Sequence, residues 1–241
     1  MNDVAMWRRV TGEFLGSAFL AAIVIGSGIA AQRLSPANPG LELFENAAAT
    51  GTGLYAVILM FGPVSGAHLN PVVSLVDATF GGIRWRTACA YIPAQVVGCF
   101  TGAIIANVMF GDKAVSLSTQ SRASAGHFLS EILATLGLLL VIFSLARTGR
   151  SRSAPPAVGA YIGAAYFFTS STSFANPAIT FGRMFSNTFA GIAPSSVVSY
   201  IGAQLIGGLV AIAVIKLLYP HLTRTEAANI IVPHDLTKGS Q

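Results

Sequence analysis

"GAHLNPVV", residues 66–73, and "SFANPAIT", residues 173–180, each set an Asn-Pro pair between apolar neighbours. Asn is a strong helix N-cap and Pro is favoured at the first helical position, so each pair reads as the start of a helix. The first such helix, Pro71 to Phe80, is short: ten residues, or about 15 Å of rise.

Composition supplies the medium. The 241 residues are 53% hydrophobic and only 10% charged, against roughly 25% charged in a soluble domain, which marks a membrane protein. The net charge of +5 comes from residues scattered between apolar runs rather than gathered into a patch, so no nucleic-acid partner is expected. Six stretches, near 10–31, 47–64, 87–110, 127–146, 155–172 and 197–219, approach the roughly 20 residues that cross a hydrocarbon core. Gly and Ala recur within them, as in "VVGCFTGAIIA" and "LIGGLVAIA", which suits close helix packing in lipid. A cleavable signal peptide is the weaker reading of the first stretch, since it is long and contains Glu13. Cys89 and Cys99, about 15 Å apart along one helix, are too distant for a disulfide.

In this medium a 15 Å helix enters the membrane without crossing it. The backbone before it, "VSGAHL" in one case and "STSFA" in the other, then lies at membrane depth, where irregular chain is tolerated only against protein or a watery cavity. The chain also repeats itself. "YIPAQVVG" at 91–98 returns as "YIGAQLIG" at 200–207, and "GEFL" at 12–15 echoes "SEIL" at 130–133. Three crossings per half is an odd number, so the second copy enters from the opposite side, an inverted repeat spanning about 8–110 and 126–219, with a tail over 220–241 and the whole chain a single domain. Arg8, Arg9, Arg84, Arg86, Arg147, Arg150, Arg152, Lys216, Arg224 and Lys238 fall on one side and Arg33, Lys113, Arg122 and Arg183 on the other; the excess places both termini in the cytoplasm. Asn70 and Asn176 would meet near the midplane, each capping its helix through oxygen while offering amide donors to a passing solute.

The paired motifs, the repeat and "GEFLGS" resemble the aquaporins and aquaglyceroporins, the major intrinsic proteins, over nearly the whole chain to about Tyr219. The resemblance implies an all-α membrane protein of six transmembrane helices and two half-helices, a pore in each protomer, a homotetramer, and no cofactor or bound metal. It implies that Asn70, Pro71, Val72, Asn176, Pro177 and Ala178 form the central motifs. The carbonyls of Gly66, Ala67, His68 and Leu69, then of Ser173, Phe174 and Ala175, would line the pore. Glu13 and Glu131 would be buried acids holding the irregular segments. Val72 stands where the family usually has Ala, and Ile179 where it generally has Arg. Counting without gaps, the selectivity filter falls on Thr50, Ala164, Ser173 and Ile179, which reads as wide and uncharged. Arg183, four residues and about 6 Å beyond Ile179, is placed at the outer vestibule, where an interfacial Arg or one paired with a loop acid is the plainer reading.

His68 is expected to be packed and hydrogen-bonded rather than to titrate as a gate. "TSSTS" at 169–173 reads as pore-entry backbone rather than a nucleophile cluster, and no G-x-S-x-G signature supports a hydrolase. A coupled secondary transporter is the stronger rival, because inverted repeats with broken helices are its hallmark too; against it, the intramembrane acids are only Glu13 and Glu131, at matching places. The sequence thus points to a passive channel for small uncharged solutes such as polyols, water and metalloid hydroxides like arsenite, resembling the bacterial arsenic-linked branch and residing in a bacterial plasma membrane. A mainly water-selective pore is the further alternative.

Overall fold

The computed structural model describes residues 4–220; Arg224, Lys238 and the tail beyond Pro220 lie outside the described residues. The chain forms α1 (Met6–Leu34), α2 (Pro39–Ser65), α3 (Pro71–Phe80), α4 (Trp85–Met109), α5 (Ala125–Arg147), α6 (Ala154–Phe168), α7 (Pro177–Arg183) and α8 (Pro194–Leu218). Among them α1, α2, α4, α5 and α8 are long and apolar enough to cross a membrane. The sixth crossing is shorter. α6 has 15 residues after a 3-10 turn at Ser151–Ser153, about 22 Å, because the chain leaves the helix at Thr169 instead of continuing to 172.

The half-helices begin as their sequences dictate. Asn70 caps α3 by accepting from Val72 N at 2.9 Å, and Asn176 caps α7 by accepting from Ala178 N at 2.9 Å. Pro follows at the first position of each, where its missing N–H costs nothing. α3 ends on Gly81 in a left-handed conformation.

The repeat is visible in the packing. α1 lies along α4 as α5 lies along α8, and the repeated Tyr-Ile-x-Ala-Gln-x-x-Gly brings a glycine to each seam. A Cβ on Gly98 would run into the carbonyl oxygen of Phe14, and one on Gly207 would stand 2.7 Å from that of Ile132. Backbones this close gain dispersion contacts that lipid would otherwise match. Outside the bundle, Phe19, Phe44, Leu59, Leu129, Val198 and Leu209 are exposed, an apolar surface suited to acyl chains.

Candidate functional site

The two half-helices meet head to head, and their caps are tied across the junction. Asn70 Nδ2 donates to the carbonyl of Ala175, and Asn176 Nδ2 donates to the carbonyl of Leu69, both at 2.7 Å. These two carbonyls therefore link the halves, and each keeps a second lone pair on a residue that lines the cavity. The carbonyls of Gly66, Ala67, His68, Ser173 and Phe174 accept no hydrogen bond within the described residues. The second amide hydrogen of each Asn is also unspent, since a side-chain amide carries two donors.

The segments that present those carbonyls are strained. Ala67, Leu69, Ser173 and Ala175 have φ between 48° and 53°, and Thr172 has φ 62°, conformations that cost an L-residue roughly 1–2 kcal/mol each. Glu13 and Glu131 hold them. Glu13 accepts from His68 N at 3.0 Å and Leu69 N at 2.7 Å, and also from Ser65 Oγ and Gln95 Nε2. Glu131 accepts from Phe174 N at 2.9 Å, Ala175 N at 2.8 Å and Gln204 Nε2 at 2.6 Å. Gln95 and Gln204 occupy the same place in the repeated octapeptide and reach on to Ser74 and Thr180, the fourth residue after each Asn. Both carboxylates are fully buried.

Above and below the junction runs a cavity of about 60 Å³. Thr50, Ser173 and Ile179 line it, with Asn70 and Asn176. Ala164 does not. It is exposed on the outer side of α6, while Ile162 and Tyr166 face inward. A shift of two residues turns a helix by about 200°, so a two-residue error in register moves the assignment to the wrong face. Tyr166 closes that wall, its hydroxyl 3.1 Å from Thr50 Oγ1. Ser173 Oγ, 3% exposed, has no hydrogen-bond partner.

Arg183 is likewise not where an interfacial arginine would be. It is 2% exposed, lines the cavity, and sits over Phe174 with Cζ 3.5 Å from the ring centroid. Its Nε donates to the carbonyl of Ala190. Arg122, from the loop between α4 and α5, stands 5.3 Å from the same ring and donates to the carbonyls of Gly191 and Phe189. Burial pushes its pKa below the ordinary arginine value. Two arginines thus hold one short segment of chain against one aromatic ring.

On the other side of the junction His68 is packed. Its Nδ1 lies 3.0 Å from Ser74 Oγ, its Nε2 3.3 Å from Asp77, and its ring stands edge-on to Tyr91 at 5.5 Å. Arg9, read from the sequence as a topology charge, is buried and donates to Tyr91 Oη, which in turn donates to the carbonyl of Ser65. Two of the hydroxyls of 169–173 serve the backbone: Thr169 Oγ1 donates to Ala165 O, and Ser171 Oγ accepts from Ser173 N. Tyr166, Asp77 and Arg122 carried no motif; only the aromatic character of Tyr166 inside an apolar run signalled a role.

A family profile described as "Major intrinsic protein" matches residues 1–175 and 157–241. The chain is similar to Aquaglyceroporin AqpS of Rhizobium meliloti, with 42% identity covering 90% of this chain and 92% of that protein. It is also similar to the Glycerol uptake facilitator protein of Streptococcus pneumoniae, with 31% identity covering 58% of this chain and 65% of that protein. The X-ray structure of the aquaglyceroporin from Plasmodium falciparum superposes with a TM-score of 0.69 over 90% of this chain and 98% of that one, at 21% identity, a likeness of fold. With crossed half-helices inside an apolar helical wall, the chain belongs to the major intrinsic protein family and is a multi-pass membrane channel, not an enzyme.

Proposed function

We propose that the chain conducts water and small uncharged, polyol-like solutes passively, with glycerol and neutral metalloid hydroxides such as arsenite in the same class. The observation that carries this is the state of the two intramembrane glutamates. Every oxygen of Glu13 and Glu131 accepts hydrogen bonds from the segments they cradle, which leaves neither free to bind and release a coupling ion. The free carbonyls and spare Asn donors form instead a ladder that replaces a neutral solute's hydration shell. The two similar proteins, an aquaglyceroporin and a glycerol uptake facilitator, support the same solute class. The protein would assemble as a homotetramer in a bacterial plasma membrane with the N-terminus inside.

Stopped-flow measurements on proteoliposomes test the reading. Water and glycerol permeabilities should exceed those of empty vesicles, rise without saturation and survive an uncoupler. Accumulation of glycerol against its gradient would replace the channel with a transporter.

A further inference from the structure

A buried guanidinium needs acceptors. Arg183 is 2% exposed, and among the described residues no carboxylate pairs with it. Its single hydrogen bond there runs from Nε to Ala190 O, which leaves its terminal N–H groups without a protein acceptor. Groups of this kind are rarely left unmade in a folded interior, because each orphaned donor is costly. The side chain forms part of the cavity wall, and its terminal nitrogens are not among the sealed, unpartnered atoms, so water or solute in the cavity supplies their acceptors. Ser173 Oγ, also unpartnered and 3% exposed, lines the same space. Across from them the Thr50 and Tyr166 hydroxyls share one hydrogen bond, which leaves further donor and acceptor capacity on that wall.

We infer that Arg183 supplies the fixed positive charge and the forked donors of the pore's constriction, with Ser173 beside it and Phe174 and Ala190 holding its plane, so that Ile179 lacks the charge but the ring does not. The assignment rests on the channel reading above. The contact with Phe174 and the Nε bond to the Ala190 carbonyl anchor the guanidinium in the cavity wall, with its terminal N–H groups uncommitted. Arg122 shares the ring and grips Phe189 and Gly191, yet is absent from the cavity wall. It positions the same segment without meeting the solute. The ligand class that follows is a small neutral molecule with oxygen acceptors, and cations are refused.

Urea and the guanidinium ion have nearly the same planar shape and differ in charge, so their permeability ratio isolates the fixed cation. In reconstituted Arg183→Met the guanidinium-to-urea ratio should rise by about tenfold or more, corresponding to roughly 1.4 kcal/mol of lost discrimination. Arg183→Lys, which retains the charge, should keep the wild-type ratio, and so should Arg122→Met. An unchanged ratio in a folded Arg183→Met overturns the assignment, as does an equal rise in Arg122→Met. If the Met variant fails to assemble, the Lys variant decides: a wild-type ratio supports the assignment and a raised one overturns it. Failure of both Arg183 variants to assemble while Arg122→Met does would make Arg183 a loop clamp only. Urea, glycerol and water fluxes through the wild-type protein no greater than through empty vesicles would instead refute the channel reading itself.

Discussion

Asn70 and Asn176 each cap their own half-helix with oxygen and tie down the other's approach with nitrogen, through Ala175 O and Leu69 O at 2.7 Å. The arrangement makes the pore centre a single unit, since neither half can move without losing a buried hydrogen bond on the other. Asn70→Asp or Asn176→Asp keeps the cap but loses the donor and sets a negative oxygen against a carbonyl. Each variant should lower thermal stability by about 1–3 kcal/mol and raise cation leak in liposomes. Unaltered leak and stability in both would mean that the cross-ties do not organise the pore.

Replacing Glu13 or Glu131 with Ala orphans the amides of His68 and Leu69, or of Phe174 and Ala175. At about 1–3 kcal/mol per unsatisfied group, the outcome should be reduced folded yield in detergent, with selectivity of any surviving channel unchanged. A well-folded variant with new ion dependence would point to coupling.

Ile179, 4% exposed, stands in the cavity wall one turn before Arg183. Ile179→Arg adds a long cation where space is already limited and a like charge sits four residues on, a repulsive spacing. The glycerol-to-water permeability ratio should fall by on the order of tenfold, equivalent to about 1.4 kcal/mol, compared within one preparation. An unchanged ratio in a folded variant removes Ile179 from the constriction.

Facing on α6 is tested by a pair. Ala164→Leu alters an exposed position and should shift stability by no more than about 0.5 kcal/mol, with an unchanged glycerol-to-water ratio. Tyr166→Leu removes the hydroxyl paired with Thr50 and should change that ratio. The reverse result would restore Ala164 to the pore.

The helix seams are tested by glycine. Gly98→Ala forces a Cβ against the Phe14 carbonyl, whereas Gly202 has nothing within 4 Å of its added Cβ. Overpacking at the first should cost about 1–3 kcal/mol, and Gly202→Ala should be neutral or slightly stabilising, as read by thermal denaturation in detergent. Equal effects would mean that α1 and α4 do not approach so closely.

Much of this architecture is local chemistry and therefore legible in the chain. An Asn followed by Pro starts a helix wherever it lies, a run of apolar residues declares its medium by length, and a repeated Tyr-Ile-x-Ala-Gln-x-x-Gly sets its two copies in equivalent places. The glutamates at 13 and 131 were readable for the same reason, as isolated acids at matching positions of two halves. Rotation about a helix axis is not local. Ala164 and Tyr166 are two residues apart in sequence and on opposite faces in space, and only the packing of α6 against α2 decides which one meets the solute. The fate of Arg183 is also tertiary: its spacing from Ile179 gave the helix turn, but its burial depends on Phe174 beneath it and on the Ala190 carbonyl from a later segment, contacts set by how separate stretches of chain close over the cavity.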